Sequence, residues 1–266
     1  MKTLYLLLTS LLFSSAVPAG ETEPAAPLQY GYEVVTTRPH DTSLFTQGLL
    51  IDDGHFYESS GLYGRSFLAR YPVTPGITES QQHKPSWSRH TDLPKHYFAE
   101  GLALLDKQLY LLTWQEQKML VYNRETFALE QEFSYEGEGW GLTYQGDYFI
   151  RSDGTHRLHF HHPDDFSLVK SIEVKRQGVA VNQLNELEFI DGKVWANIWH
   201  EPRIVIINPD SGVVEAELDL SAIAAQHTPA GSEKVLNGIA WHPQQQTLWI
   251  TGKMWPLLYQ LKIIRR

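Results

Sequence analysis

The chain has 266 residues, a net charge of -9, eight Trp, thirteen Tyr and no cysteine. That length supports one large domain or two small ones around a real core. The acids are spread throughout and no basic stripe appears, which excludes nucleic acid as a partner. The missing cysteines exclude disulfides, thiol catalysis and lipid attachment at a Cys, and the aromatic load points to a β-rich core or an aromatic-lined site.

The N-terminus carries Lys2, an apolar run over residues 4–13, and small residues at Val17 and Ala19. Residues 1–19 read as a signal peptide cleaved after Ala19, which places the mature protein in a periplasm or outside the cell; a buried helix is the alternative. The run is too short to span a bilayer comfortably, and no other stretch is long enough, so no membrane partner is expected. Residues 20–29, with Pro24 and Pro27, read as an N-terminal tail, and residues 30–266 as the folded domain. Residues 30–37 alternate as a strand, with Tyr32, Val34 and Thr36 on one face.

From Phe45 onward a unit recurs: a residue before Gly-Leu, a short turn, then an alternating apolar strand. It occurs as Phe45-Thr46-Gln47-Gly48-Leu49, Phe98-Ala99-Glu100-Gly101-Leu102, Glu138-Gly139-Trp140-Gly141-Leu142, Leu184-Asn185-Glu186-Leu187 and Leu236-Asn237-Gly238-Ile239-Ala240. The Gly or its equivalent falls at 48, 101, 141, 186 and 238, intervals of 53, 40, 45 and 52. Those lie close to the roughly 40–50 residues of a β-propeller blade. Insertions over residues 72–94 and 221–234 account for the two long intervals, and Ala222, Ile223, Ala224 and Ala225 in the second suit a helical turn. The last repeat has room for three strands only. Residues 30–37 can supply its fourth, so the fold class is all-β: a five-bladed propeller whose last blade is closed by the N-terminal strand. A two-sheet sandwich does not explain a period that recurs five times.

Innermost strands line a propeller's channel, so equivalent repeat positions form rings. The first ring is Gln47, Glu100, Trp140, Asn185 and Asn237. Two residues earlier stand Phe45, Phe98, Glu138, Gln183 and Val235. At the end of the next strand come Gly61, Trp114, Gly154 and Trp199, with Lys253 slightly further on. One channel mouth therefore collects a carboxylate, amides, a lysine, three Trp and two Phe, the make-up of a small-ligand site. The alternative for the aromatics is plain core packing, and for Glu100 a structural ion pair with Lys253. A lone carboxylate between Phe98 and Leu102 is costly to bury for no purpose.

Taken in order, Phe-x-Gln-Gly-Leu, Phe-Ala-Glu-Gly-Leu, Leu-Thr-Trp-Gln-Glu, Glu-Gly-Trp-Gly-Leu, Leu-Asn-Glu-Leu-Glu, Ala-Asn-Ile-Trp and Thr-Gly-Lys-Met-Trp resemble the plant/bacterial-type glutaminyl-peptide cyclotransferases (glutaminyl cyclases). The resemblance runs from about Tyr32 to the C-terminus. It implies a five-bladed propeller that converts N-terminal glutamine of peptides and proteins to pyroglutamate with release of ammonia, unrelated in fold to the zinc-dependent animal enzymes. It implies the essential acid at Glu100, polar pocket residues at Gln47, Asn185 and Lys253, and an aromatic wall at Phe45, Phe98, Trp114, Trp140 and Trp199. No metal or other cofactor is expected, and a monomer is.

Other signals point elsewhere. His156, His159, His161 and His162 are close in sequence, but no carboxylate stands in a ligand pattern with them, and a solvated outer strand is the expectation. No Gly-x-Ser-x-Gly supports Ser–His–Asp catalysis. A propeller binding module for peptide or carbohydrate would use the same aromatic box without needing the acid. A five-bladed glycoside hydrolase would need two carboxylates, with Glu138 the obvious second.

Overall fold

The computed structural model describes residues 25–73 and 87–265. The signal peptide, half of the proposed tail and most of the first insertion lie outside these residues. Four-stranded antiparallel sheets are formed by Thr46–Asp52, His55–Ser60, Phe67–Pro72 and Arg89–Asp92, by Ala99–Leu105, Gln108–Thr113, Lys118–Asn123 and Leu129–Ser134, and by Leu142–Tyr144, Phe149–Ser152, Arg157–His161 and Leu168–Glu173. We number these blades 1, 2 and 3. Blade 4 comprises Leu184–Ile190, Lys193–Ile198, Arg203–Ile207 and Val214–Asp219; blade 5 comprises Leu236–His242, Thr247–Gly252 and Leu257–Ile264.

The fourth strand of blade 5 is the N-terminal strand Leu28–Pro39, antiparallel to Leu257–Ile264 from Gly31 to Pro39. It begins two residues earlier than the alternation of residues 30–37 indicates, because Leu28, Gln29 and Tyr30 pair in parallel with Ala216, Glu217 and Leu218 of blade 4. One strand thus fuses blades 4 and 5 into an eight-stranded sheet. Arg89–Asp92 completes blade 1, so the end of the expected insertion belongs to the repeat itself. The helical turn of the second insertion is Ser221–Ala224, with Ile223 and Ala224 buried.

Both faces of the inner strands are buried, which is why those strands read as nearly continuous apolar runs, whereas the outer strands Leu129–Ser134 and Leu168–Glu173 are mostly exposed. Successive side chains point to opposite faces. Leu109 and Leu111 pack on Leu50, Tyr57 and Leu68 of blade 1, whereas Tyr110 and Leu112 pack on Leu142 and Phe149 of blade 3. Val194 and Ala196 meet blade 3, and Trp195 lies in the core shared with blade 5. Trp249 and Leu258 close the circle against Leu49, Phe56 and Tyr71. Five apolar interfaces, one per blade junction, take the place of a single central core.

The inner strands meet backbone to backbone at the repeat glycines. A Cβ on Gly48 would lie 2.5 Å from the Leu102 nitrogen, one on Gly101 2.4 Å from the Leu142 nitrogen, and one on Gly141 2.0 Å from the Asn185 oxygen. Only glycine allows that approach. Blade 4 has Glu186 instead, whose carboxylate accepts the amides of Ile239 at 2.9 Å and Leu49 at 3.4 Å inside the channel.

Beneath the closure, His40 is fully enclosed. Its Nε2 lies 3.1 Å from Glu58 Oε1, and its Nδ1 donates to the Trp255 carbonyl at 2.8 Å. Glu58 also accepts the hydroxyls of Thr46 at 2.7 Å and Tyr71 at 2.5 Å. The network joins blade 1, blade 5 and the segment entering blade 1 (residues 40–45).

Candidate active site

In four blades the innermost strand carries a register shift at the ring position: between Thr46 and Gly48, Ala99 and Leu102, Leu184 and Leu187, and Leu236 and Ile239. Such a bulge takes a residue out of the ladder and re-aims its side chain. It turns Gln47, Glu100 and Asn185 into the channel mouth. Their backbones are tied to neighbouring blades: Ser59 Oγ donates to the Glu100 carbonyl at 2.5 Å, and Ser152 Oγ to the Asn185 carbonyl at 2.7 Å. Sequence reading did not single out these serines; each stands two residues before a ring glycine, in Ser59-Ser60-Gly61 and Ser152-Asp153-Gly154.

A pocket of about 250 Å³ opens there, lined by all nine singled-out residues: Phe45, Gln47, Phe98, Glu100, Trp114, Trp140, Asn185, Trp199 and Lys253. Leu62 and Glu233 complete it and were not foreseen. Leu62 projects from a residue with φ of 115°, an uncommon conformation for a branched side chain. Apart from the two glycines, four ring residues do not join, and of these Glu138 stands beside the indoles of Trp114 and Trp140. Gln183 lines a groove behind Trp199, Val235 a separate apolar pocket, and Asn237 lies beneath, donating to the Thr46 carbonyl at 2.9 Å.

Small ring residues make room for the aromatics. A Cβ on Gly61 would sit 2.2 Å from Phe98 Cε1, and one on Gly154 2.6 Å from Trp140 Cε2. Phe98 packs edge-on to Phe45 at 6.3 Å and Trp114 at 5.5 Å, and Trp140 edge-on to Trp199 at 5.6 Å. These geometries suit the ring quadrupoles and leave aromatic faces and edges lining the pocket.

Glu100 is 5% exposed and, among the described residues, accepts one side-chain hydrogen bond, from Gln47 Nε2 at 3.0 Å. Burial pushes its carboxyl well above the ordinary range; Lys253 opposes the shift, and Glu138 and Glu116 add to it. Burial likewise lowers the Lys253 ammonium, against the pull of Glu100 and Glu233. Among the described residues no ion pair joins Glu100 and Lys253; the ammonium instead lies 4.6 Å from the centre of the Phe45 ring. The tight structural pair weighed for these residues is absent there. Asn185 Oδ1 and Trp199 Nε1 are buried without a hydrogen-bond partner among the described residues, so both are available to a guest.

The histidine cluster does not converge. His159 pairs with Asp153 at 2.9 Å and Ser171 at 2.8 Å, whereas His161 is buried and stacked on Phe166. The strand carrying both is the third of its blade, covered by Leu168–Glu173, not a solvated outer strand. Among the described residues no group of three or more His, Asp or Glu side chains is arranged to hold a metal ion.

The fold and the pocket define an enzyme of the cyclotransferase class. Residues 5–263 match the profile of the family described as Glutamine cyclotransferase, and the chain belongs to that family. A "Glutaminyl-peptide cyclotransferase" of Arabidopsis thaliana is 35% identical over 235 residues, which cover 87% of this chain and 71% of that protein. The crystal structure of Myxococcus xanthus glutaminyl cyclase superposes with a TM-score of 0.80 at 35% identity, covering 90% of this chain and 99% of that one.

Proposed function

We propose that the protein cyclises N-terminal glutamine of peptides and proteins to pyroglutamate and releases ammonia, with Glu100 as the proton shuttle. The observation that carries this reading is a buried carboxylate that makes no ion pair among the described residues and lines an aromatic pocket of about 250 Å³. An exported monomer, released by cleavage after Ala19 with residues 30–266 as the catalytic domain, completes the proposal.

The substrate's α-amine attacks its own side-chain amide carbon and closes a five-membered ring. Nucleophile and electrophile are already tethered, so orientation supplies much of the rate, up to about 7–11 kcal/mol in well-oriented cases. The α-amine titrates at roughly 7.7–8.0, so the attack needs neither a strong base nor a metal hydroxide. A carboxyl raised by burial is a better match to that amine than an ordinary glutamate, and matched acidities favour proton transfer. Glu100 accepts the proton that the attacking nitrogen loses as the new C–N bond forms. It returns the proton to the amide nitrogen as the old C–N bond breaks, and ammonia leaves neutral. Lys253 and Asn185, both without side-chain hydrogen-bond partners among the described residues, donate to the oxygen on which charge develops. The Trp walls keep out the water that would turn glutamine into glutamate.

Incubating the protein with a Gln-initiated peptide, with and without chelator, tests the reading. Pyroglutamate and ammonia are expected in equal amounts and unaffected by chelation. Inertness toward the peptide favours a binding module instead.

A further inference from the structure

Glu138 stands at the pocket without lining it. Its Oε2 accepts the indole N–H of Trp114 at 2.8 Å and of Trp140 at 2.9 Å, and its Oε1 accepts Gln115 Nε2 at 3.2 Å. The two indoles come from different blades. Trp114 follows the second strand of blade 2, and Trp140 precedes the first strand of blade 3. Through them one carboxylate reaches four of the five aromatic walls, since Trp114 packs on Phe98 and Trp140 on Trp199.

The carboxylate's own backbone is held from behind. The buried Arg151 donates to the carbonyls of Glu138 and, at 3.2 Å, Glu136, and its guanidinium lies 4.7 Å from the centre of the Tyr135 ring. Arg151 Nε donates to His161 Nε2 at 3.2 Å, and His161 Nδ1 donates to the Phe166 carbonyl at 2.9 Å. That pattern requires a neutral imidazole, and burial together with the Arg151 charge lowers the His161 pKa to about 4. A tertiary lock of this kind is more than a solvated rim acid needs.

We propose that Glu138 is a positioning residue of the cyclisation site: its carboxylate clamps the indoles of Trp114 and Trp140 at the junction of blades 2 and 3 and so sets the pocket's width around the substrate's glutamine side chain. The proposal rests on the cyclotransferase reading for its activity arm. It also removes Glu138 as the second acid of a glycoside hydrolase, because both of its oxygens are engaged. Its negative charge separately adds to the raised basicity of Glu100.

The test compares E138A and E138Q for kcat and KM on a Gln-initiated peptide and for near-ultraviolet circular dichroism of the indoles. Alanine frees both indole N–H groups. Glutamine, with its amide oxygen toward the indoles, still accepts from both. E138A is expected to lose about tenfold to a hundredfold in kcat, the scale of a small misplacement at a reacting centre, with a smaller change in KM and an altered indole spectrum. E138Q is expected to recover most of the kcat loss and the wild-type spectrum. An E138A enzyme with wild-type kcat and spectrum overturns the proposal, and so does an E138Q enzyme as impaired as E138A. Should E138A fold poorly, E138D decides: its carboxylate, one methylene shorter, cannot reach both indoles, so a lower kcat with an altered indole spectrum supports the clamp, and wild-type kcat and spectrum overturn it. A wild-type protein inert toward the peptide would refute the cyclotransferase reading alone, since the spectra still test the clamp.

Discussion

Gln47 donates from Nε2 to Oε1 of Glu100 across 3.0 Å, and its own Oε1 accepts Asn237 Nδ2 at 3.3 Å. Equivalent ring positions of blades 5, 1 and 2 are therefore linked in a row, Asn237 to Gln47 to Glu100. The first donor fixes which way the Gln47 amide points, so an N–H and not a carbonyl faces the carboxylate. A chain of bonds in a low-dielectric site polarises along its length. Glu100 receives a directed hydrogen bond without receiving a neutralising charge, which leaves it basic enough to take a proton.

Glu100→Gln should keep the pocket's shape and substrate binding while removing the group that relays the proton. A loss of about 10²–10⁴ in kcat, with KM little changed, is the expected scale for acid–base catalysis. Steady-state kinetics on a Gln-initiated peptide measure it, and activity near that of the wild type would eliminate the shuttle role.

Lys253→Met should move the pH profile in a defined direction. Among the charges that act on Glu100, the ammonium is the one that opposes burial. Without it the carboxyl pKa rises further, and a base that must be ionised to act then works only at higher pH. The rising limb of kcat/KM that Glu100 governs should shift upward in pH; an unmoved or lowered limb contradicts the assignment.

Gly61→Ala tests the packing behind the aromatic wall. The added methyl would collide with the Phe98 ring at 2.2 Å, and the Ala99 carbonyl lies only 3.0 Å away. Overpacking of this kind costs about 1–3 kcal/mol. The melting temperature should fall, and kcat/KM should fall as well because Phe98 is displaced into the pocket. The same change at Gly54, which has nothing within 4 Å but a φ of 71°, should cost stability and spare activity.

The buried His40–Glu58 pair makes ring closure sensitive to pH. Burial alone would lower the His40 pKa, but Glu58 and the Trp255 carbonyl together raise it above the ordinary value. A raised folded-state value means the pair's contribution is complete below the unfolded value near 6.5 and is lost as pH rises through the higher folded one. His40→Phe strands a buried carboxylate and should destabilise by about 3–5 kcal/mol. Urea titrations should show the gap between wild type and a His40→Phe, Glu58→Gln double variant, which strands no charge, narrowing as pH increases; a gap that widens would contradict the sign.

The sequence by itself determined the architecture and most of the pocket's lining. Repeat spacing is enough to specify blades, because each blade is one supersecondary unit whose residues recur in phase. The missing last strand pointed to the N-terminus for the same reason, since a propeller leaves no open edge. Nine of the eleven pocket residues were legible because equivalent positions of a repeat converge by symmetry; Leu62 and Glu233 stand outside those positions. Tertiary structure decided what symmetry does not encode. The parallel pairing of Leu28 with Ala216 arises between segments distant in the chain, the enclosed His40–Glu58 pair is closed by the remote Trp255 carbonyl, and the bulges that aim Gln47, Glu100 and Asn185 sit in hairpins whose repeat spacing does not mark them. Glu138 illustrates the difference: its repeat position promised a residue at the channel mouth, but only the approach of two indoles from neighbouring blades assigns its oxygens. A carboxylate's role depends on what reaches it, and no local pattern records that.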